Sequence, residues 1–223
     1  MRIIAKIHSD YKEKFGIPRQ SGIAKGLTSV IVFEPEYRRE EALRGIEGFS
    51  HLWLIWEFSE AKREGWSPTV RPPRLGGNRR MGVFATRSPF RPNPIGLSSV
   101  RLCEVRKTEK DGTVLVVADA DLLDGTPIYD IKPYLAFSDA HPDAVCGFSE
   151  EVSADTLSVD FPEELLGKIE PEKRGALLAI LAGDPRPHYQ DDPEREYGFR
   201  FACYEIRFTV KDGTLTVRSV GYT

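Results

Sequence analysis

The chain has 223 residues, of which 40% are hydrophobic and 29% charged, and its formal net charge is −3. This mixture is typical of a globular protein and excludes a disordered chain, a collagen-like repeat and a bundle of membrane helices. Because domains usually have about 150 residues, the length predicts either one large unit with an appendage or two units.

Short apolar and β-branched runs predict strands through the first 135 residues. In chain order these runs are Ile3–Ile7, Val30–Phe33, His51–Phe58, Met81–Thr86, Leu97–Val105, Val114–Ala118 and Ile128–Ile131. One helix is expected among them, at Arg39–Ile46, where apolar residues share one side. The Lys110-Asp111-Gly112 run is expected to close a hairpin, because aspartate and glycine tolerate a positive φ.

So many strands with so few helices predict an antiparallel sheet, since parallel strands need crossover connections that are usually helical. Closing that sheet would remove its exposed edges. The expected fold is therefore mainly β, an antiparallel single-sheet β-barrel over residues 1–145 followed by a small C-terminal α+β domain over residues 146–223. In the second unit Pro171 and Gly183 mark the ends of a helix, and Phe199–Val210 and Thr214–Val220 flank a hairpin turn.

Cysteine and histidine are too scattered to predict a disulfide framework or a metal site. Cys103, Cys146 and Cys203 lie dozens of residues apart, and we interpret them as buried thiols. Met1–Lys6 lacks the features of a secretory signal, and the apolar run His51–Phe58 is far shorter than the about 20 residues of a membrane helix. We therefore expect a cytoplasmic protein without a metal or a membrane segment.

Positive charge is concentrated in one window. From Arg71 to Arg101 there are seven arginines but no lysine and no acidic residue, so the window carries +7 and the rest of the chain −10. Arginine without lysine favours binding of phosphate or carboxylate from two sides. An alternative is an exposed loop whose arginines pair with acids elsewhere in the fold.

The stretch Trp66–Pro94 within this region is rich in proline and glycine, which predicts a stiff, shaped loop. Such loops usually have a function. The chain has neither a G-x-G-x-x-G turn nor a phosphate-binding P-loop, and it has no G-x-S-x-G elbow. These absences exclude the commonest dinucleotide, nucleotide and serine-hydrolase sites.

Several long strings resemble one known family. They are Lys14–Gln20, Gly48–Trp53, Val70–Asn78, Gly82–Ser98 and Asp121–Tyr134. Together they resemble the TsaA-like (YaeB/TrmO) family over residues 1 to about 145. Beyond that point only Asp184-Pro185-Arg186-Pro187 and Tyr189 are similar to the family's C-terminal part, and the acidic insert 191–196 departs from it.

The resemblance implies a tRNA methyltransferase that uses S-adenosylmethionine, is built on a single-sheet β-barrel and acts as a homodimer. It further implies methylation of N6 of threonylcarbamoyladenosine at position 37, beside the anticodon. By motif, the donor would contact Pro18, Arg19, Gln20, Ser21, Gly22, Phe58, Ser59, Arg87, Leu97, Asp121, Asp124, Gly125, Thr126 and Pro127.

The substrate nitrogen is a urea nitrogen with a delocalised lone pair, so its attack requires an acceptor for its proton. Asp121, Asp124 and Asp130 are candidates for this base, and Asn93 offers an amide oxygen instead. The sequence leaves the choice open. The Asp124–Pro127 run is also typical of an ordinary tight turn.

Arginines of the positive window are candidates for contacts with the tRNA backbone. They are Arg71, Arg74, Arg79, Arg80 and Arg91, with Arg87 as a further candidate. At least one arginine is available instead for a carboxylate of the donor or of the threonyl group. Four aromatic residues can stack on adenine or belong to the core, namely Trp66, Phe84, Phe90 and Tyr129. We interpret His51 as a structural residue.

Two alternatives from other classes remain. A non-catalytic RNA-binding β-barrel would bind tRNA with the same arginines but would bind no methyl donor. An S-adenosylmethionine-dependent enzyme acting on a small molecule would turn over the donor whether or not tRNA is present.

Overall fold

The computed structural model describes residues 1–18, 21–22, 24–61, 65–72, 79–150, 156–186, 192 and 194–223. Its strands are β1 (Ala5–His8), β2 (Thr28–Phe33), β3 (His51–Glu57), β4 (Thr69–Val70), β5 (Met81–Gly82), β6 (Ile95–Thr108), β7 (Gly112–Ala118), β8 (Pro127–Pro133), β9 (Ser158–Asp160), β10 (Tyr197–Phe201), β11 (Tyr204–Lys211) and β12 (Thr214–Tyr222). The α-helices are α1 (Ala136–Asp139), α2 (Glu163–Leu166) and α3 (Pro171–Ala182). The chain is therefore mainly β, as the sequence predicts.

Six strands close into a ring in the order β1-β2-β7-β6-β3-β8, and every neighbouring pair is antiparallel. The ring encloses an apolar core because side chains alternate along each strand. On β3, for example, Leu52, Leu54 and Trp56 point inward and are buried. The predicted hairpin at residues 110–112 is confirmed, since it joins β6 to β7.

A second sheet has the strand order β10-β11-β12-β9, with β9 parallel to β12. Helix α3 begins at Pro171, ends before Gly183 and covers this sheet with buried residues such as Leu177 and Leu181. The predicted helix and the hairpin around residues 211–213 are both confirmed. The expected arm Phe199–Val210 contains an additional turn, which divides it between β10 and β11.

A segment near the N-terminus packs on the second sheet. Tyr11 forms a β-bridge with Phe201, and the Glu13 carboxylate accepts a hydrogen bond of 2.6 Å from the backbone N–H of Arg200. The ring of Phe15 lies edge-on to Phe199, with 5.9 Å between their centroids. Tyr11, Phe15 and Ile17 thus pack in the core of the second sheet, although they follow closely on β1.

Three expectations are wrong. Arg39–Ile46 is not an α-helix: it forms a 3-10 turn at Glu40–Leu43 and starts another at Ile46–Gly48, because Gly45 between them has a φ of +88°. Met81–Thr86 is a strand only at Met81–Gly82, after which the chain turns. The three cysteines are exposed rather than buried.

In the described parts of the chain, no helix has the length and apolarity needed to cross a membrane. The same residues contain no group of three or more histidine, cysteine, aspartate or glutamate side chains placed to bind a metal ion.

Candidate functional site

A cavity of about 810 Å³ opens at one side of the ring. Its walls are the end of β3, the start of β6, residues 14, 17, 18 and 21, the loop 86–91 and the turn 121–126. The lining residues are Lys14, Ile17, Pro18, Ser21, Trp53, Trp56, Glu57, Phe58, Ser59, Glu60, Ala61, Thr86, Arg87, Pro89, Phe90, Arg91, Ile95, Gly96, Leu97, Ser99, Asp121, Leu123 and Thr126. Cavities of this size hold small organic ligands.

Many of the residues expected to bind the donor meet in this cavity. They are Pro18, Ser21, Phe58, Ser59, Arg87, Leu97, Asp121 and Thr126. Gly22, Asp124, Gly125 and Pro127 are described but do not line it. Arg19 and Gln20 lie outside the described residues.

The two strings expected to bind the donor are joined by a hydrogen bond from the Ser21 backbone N–H to the Asp121 carboxylate. The N–H of Gly22 donates a hydrogen bond of 3.0 Å to the carbonyl of Asp119. The N–H of Gly125 donates one of 2.8 Å to the carbonyl of Ile7 in β1. Ser21 and Asp121 therefore lie together in the wall of one cavity, although they are distant in sequence.

Asp121 lies in the cavity wall and is held by a buried chain of hydrogen bonds. The Ser98 hydroxyl donates to Oδ1 of Asp121 at 2.6 Å, and the indole N–H of Trp56 donates to the Ser98 oxygen at 3.0 Å. Burial raises the pKa of Asp121, and this effect outweighs the hydrogen bonds from Ser98 and the Ser21 backbone and the charge of Arg87, which lower it. A carboxylate with a raised pKa is a better proton acceptor than an ordinary one.

Asp124 has a different environment. Its carboxylate accepts hydrogen bonds from the Ser9 backbone N–H at 3.0 Å and from Lys12 Nζ at 2.9 Å, and His8 lies 3.4 Å away. Burial acts to raise the pKa of Asp124, but the hydrogen bonds and charges of these partners outweigh it, so the pKa is lowered. Gly125 follows with a φ of +78°. The geometry is that of a tight turn tied to β1 and the segment after it.

The two other candidate bases lie outside the cavity walls that the structure describes. Asn93 is exposed, and its backbone carbonyl accepts a hydrogen bond from Ile95. Asp130 lies on β8, where its carboxylate accepts a hydrogen bond from the N–H of Ile131 and forms an ion pair of 3.0 Å with Lys132. Asp121 is therefore the candidate that the geometry favours.

The arginines of the positive window divide into groups. Arg87 and Arg91 line the cavity, whereas Arg71, Arg79 and Arg80 are exposed on or beside the β4–β5 hairpin. Arg74 lies outside the described residues.

Arg101 lies on β6, and its guanidinium is 3.8 Å from the Asp119 carboxylate, so this arginine pairs with an acid of the fold. Pairing with an acid therefore accounts for Arg101, and the side chains of Arg79 and Arg80 are exposed.

Three site residues are not among the candidates that the sequence motifs indicate, namely Trp56, Ser98 and Glu57. Trp56 faces Gly96 across β3 and β6, and any side chain at position 96 would collide with its ring. A glycine opposite a tryptophan on neighbouring strands is a usable signal only after the pairing register is known. Glu57 lines the cavity and hydrogen-bonds Tyr129, whose pKa is raised to about 12 by burial and by this carboxylate.

The fold and site define a class: a closed antiparallel sheet with a small-molecule cavity at one side and an arginine-bearing loop at its entrance. Two family models match the chain, "tRNA-methyltransferase O N-terminal domain" over residues 6–140 and "TrmO C-terminal domain" over residues 154–222. The chain belongs to the tRNA-methyltransferase O family.

Relatives and a solved structure of the same family match most or nearly all of the chain. The tRNA (adenine(37)-N6)-methyltransferase of Escherichia coli is 44% identical over 222 residues, which cover 96% of this chain and 94% of the relative. The protein of that name from Eikenella corrodens is 47% identical over 174 residues, 77% of this chain and 97% of the relative. A crystal structure of TrmO from Pseudomonas aeruginosa has a TM-score of 0.73 at 32% identity, covering 98% of this chain and 97% of its own.

Proposed function

We propose that the chain transfers the methyl group of S-adenosylmethionine to N6 of threonylcarbamoyladenosine at position 37 of tRNA. The observation that carries the proposal is the partly buried Asp121 carboxylate, which lines a ligand-sized cavity beside exposed arginines in a member of a tRNA methyltransferase family. Under this proposal the closed ring is a barrel of the TsaA-like type, with residues 1–145 binding both substrates and residues 146–223 forming the second domain.

The cavity suits the methyl donor, which supplies a methyl group on a positively charged sulfur. Phe58 and Leu97 offer apolar walls for an adenine ring, and Arg87 offers a cation for a carboxylate. Glu57 and Asp121 place negative charge in the same cavity, which favours a sulfonium group. These apolar and charged walls support a cavity that binds the methyl donor, and they disfavour the alternative of an RNA-binding β-barrel that binds no donor.

Asp121 is the proposed proton acceptor. As the new N–C bond forms and the C–S bond breaks, the bonding electrons leave with sulfur and the N6 proton passes to the carboxylate. The Ser98 hydroxyl and the Ser21 backbone N–H both hydrogen-bond this carboxylate and orient it in the cavity wall. General-base help of this kind is worth about 10²- to 10⁴-fold in rate. The cavity walls contribute further by aligning the reactants and excluding water.

The exposed arginines provide the electrostatic attraction for tRNA. Arg71, Arg79 and Arg80 lie on or next to one short hairpin, and Arg91 lies between that hairpin and the cavity. Guanidinium groups bind phosphate with two parallel donors. We assign this surface to the backbone of the anticodon loop, whose nucleoside enters the cavity.

A cytoplasmic homodimer is part of the proposal. Ile95 and Leu97 present apolar side chains outward from β6, and Leu97 is 59% exposed. Both residues also line the cavity, so a second copy packed against this face would bury them and add to the cavity wall. Sedimentation velocity measures the assembly directly, and a chain that stays monomeric at micromolar concentration contradicts the dimer.

The decisive experiment is nucleoside mass spectrometry of threonylcarbamoylated tRNA after incubation with the protein and S-adenosylmethionine. The expected product is threonylcarbamoyladenosine carrying one added methyl group, formed only when both substrates are present. An unmodified tRNA that lacks the threonylcarbamoyl group is the matched control. Methylation of both tRNAs would contradict the proposed substrate, and methylation of neither would contradict the activity.

A further inference from the structure

Two large aromatic side chains lie exposed beside the cavity and do not line it. Trp66 is 54% exposed and Phe84 is 71% exposed, and their ring centroids are 6.1 Å apart with 31° between the ring planes. Single exposed aromatic residues are common on protein surfaces, but adjoining ones mark interaction sites more often. We call this pair the aromatic platform.

The backbone fixes the position of the platform. Val83, which precedes Phe84, is buried to 1% exposure and anchors a 3-10 turn at Val83–Ala85. Its N–H donates a hydrogen bond of 2.9 Å to the carbonyl of Pro68, two residues after Trp66. Because the β4–β5 pairing starts immediately beside this bond, the two rings are held near each other before any ligand arrives.

Arg91 connects the platform to the cavity. Its guanidinium carbon lies 5.8 Å from the centroid of the Phe84 ring, and the residue also lines the cavity. Nη1 donates hydrogen bonds to the carbonyls of Thr86 at 2.7 Å and Val83 at 3.2 Å, so the guanidinium is fixed over the ring. The platform and the cavity entrance therefore share one residue.

We propose that Trp66 and Phe84 stack on an unpaired nucleobase of the substrate tRNA, adjacent to the nucleoside that enters the cavity. The inference rests on the proposed function, since it requires an RNA substrate. Aromatic faces stack on splayed bases of single-stranded loops, and this stacking is independent of base identity.

Charge favours a nucleic acid as the occupant. Arg71, Arg79 and Arg80 are exposed on or beside the hairpin that carries the platform, and the sequence from 71 to 101 contains no acidic residue. Guanidinium groups next to aromatic rings match the alternation of phosphate and base along a single strand. The donor's adenine does not compete for the platform, because the cavity has its own aromatic wall at Phe58 and Phe90.

The test is binding of a fluorescein-labelled, threonylcarbamoylated anticodon stem-loop RNA, measured by anisotropy at several salt concentrations. Phe84→Ala and Trp66→Ala are each expected to weaken binding by about 5- to 140-fold, the value of one lost base stack. The slope of log affinity against log salt should stay unchanged, because no phosphate contact is removed. Arg80→Gln should also weaken binding, but it should reduce that slope by about 0.7.

Matched variants separate stacking from other effects. Phe84→Tyr keeps a ring and should retain wild-type affinity, and Phe137→Ala removes an aromatic side chain that is 89% exposed on α1 and should change nothing. Donor affinity, measured by calorimetry, should be the same in all variants. The assembly of each variant is compared with that of the wild type by sedimentation velocity. If a platform variant loses a dimer that the wild type forms, the platform is a contact between subunits, and the proposal is overturned.

Wild-type RNA affinity in the Phe84→Ala, Trp66→Ala double variant would also overturn the proposal. That failure is distinguishable from failure of the proposed function. If the wild type methylates threonylcarbamoylated tRNA and the double variant binds RNA normally, only the stacking inference is wrong. If the wild type neither binds nor methylates the RNA, both are wrong.

Discussion

The Ser98 hydroxyl donates a 2.6 Å hydrogen bond to the carboxylate of Asp121, and the two residues come from different elements, β6 and the turn after β7. Ser98 is only 2% exposed and itself accepts a hydrogen bond from Trp56. The carboxylate is therefore oriented by a group that cannot rotate freely. This arrangement allows the role of Asp121 to be tested without changing Asp121 itself.

Ser98→Ala is expected to raise the pKa of Asp121 further. The hydrogen bond stabilises the charged carboxylate, so its loss adds to the effect of burial on the pKa. The other groups that interact with Asp121, the Arg87 cation and the Tyr11 hydroxyl, are unchanged in this variant. Because the base must be ionised to accept a proton, the acidic limb of the profile of kcat/KM against pH should move to higher pH. Steady-state methylation between pH 5 and pH 9 measures this shift.

Ser29→Ala is the control for that variant, since Ser29 is another buried serine of the ring. It should leave the pH profile unchanged. A profile that is the same for Ser98→Ala and the wild type would contradict Asp121 as the proton acceptor. A lower rate at every pH without a shift would assign Ser98 to packing alone.

Asp121→Asn is expected to lower kcat by about 10²- to 10⁴-fold without lowering stability. The folded-state pKa of Asp121 is raised, so ionisation opposes folding at every pH above the ordinary value of 3.8. Asparagine carries no charge and still accepts the hydrogen bond from Ser98. Calorimetry at pH 7 should therefore give a melting temperature equal to or above that of the wild type, and a marked decrease would indicate a structural role.

Gly96→Ala is expected to destabilise the protein by about 1 to 3 kcal/mol, the usual cost of overpacking a core. A Cβ atom at this position would overlap the Trp56 ring, which is buried inside the ring of strands. Displacing Trp56 should also break its hydrogen bond to Ser98 and lower the methylation rate. Gly48→Ala, where nothing lies within 4 Å of the added atom, is the matched control in urea unfolding.

Asp10→Asn should lower the free energy of unfolding by about 1.5 to 3 kcal/mol, the range for hydrogen bonds that involve charged groups. Lys173 on α3 donates to Asp10 at 2.8 Å, and both side chains are mostly buried. Burial acts to lower the pKa of Lys173, but Asp10 and Glu170 outweigh it and raise the pKa above its ordinary value of 10.5.

On the Lys173 side, the stabilisation from this pair is lost only above pH 10.5, as pH rises through the raised pKa. The cost of Asp10→Asn should therefore be constant between pH 6 and pH 9 in urea titrations. Glu40→Gln breaks the exposed ion pair with Lys107 and should change stability very little. A cost that disappears well below pH 9 would contradict the assignment.

The six strands of the ring were predictable because alternation and β-branched runs are local properties of the sequence. The two 3-10 turns around Gly45 were not, since an apolar spacing such as that of Ala42, Leu43 and Ile46 does not distinguish an α-helix from successive tight turns. Tertiary contacts decide the conformation there.

The same reasoning applies to the candidate site. The motifs contained both Asp121 and Asp124, and only the fold shows that Ser98 reaches one while Lys12 and Ser9 reach the other. Arg91 could be recognised from the sequence as an available cation, but its bonds to the carbonyls of Val83 and Thr86 could not. Hydrogen bonds between residues that are distant in sequence therefore distinguish the two aspartates of the motif, and such bonds cannot be predicted from the motif alone.

The segment 11–17 connects the second sheet to the cavity, because it contacts β10 on one side and lines the cavity on the other. Lys14 and Ile17 form cavity wall on one side, while Phe15 and Gly16 between them press against Phe199 on the other. A substitution in the second sheet that moves this segment is therefore expected to change the affinity for a ligand in the cavity. Natural variation in that sheet would then change the shape of the cavity wall while the residues proposed to react stay the same.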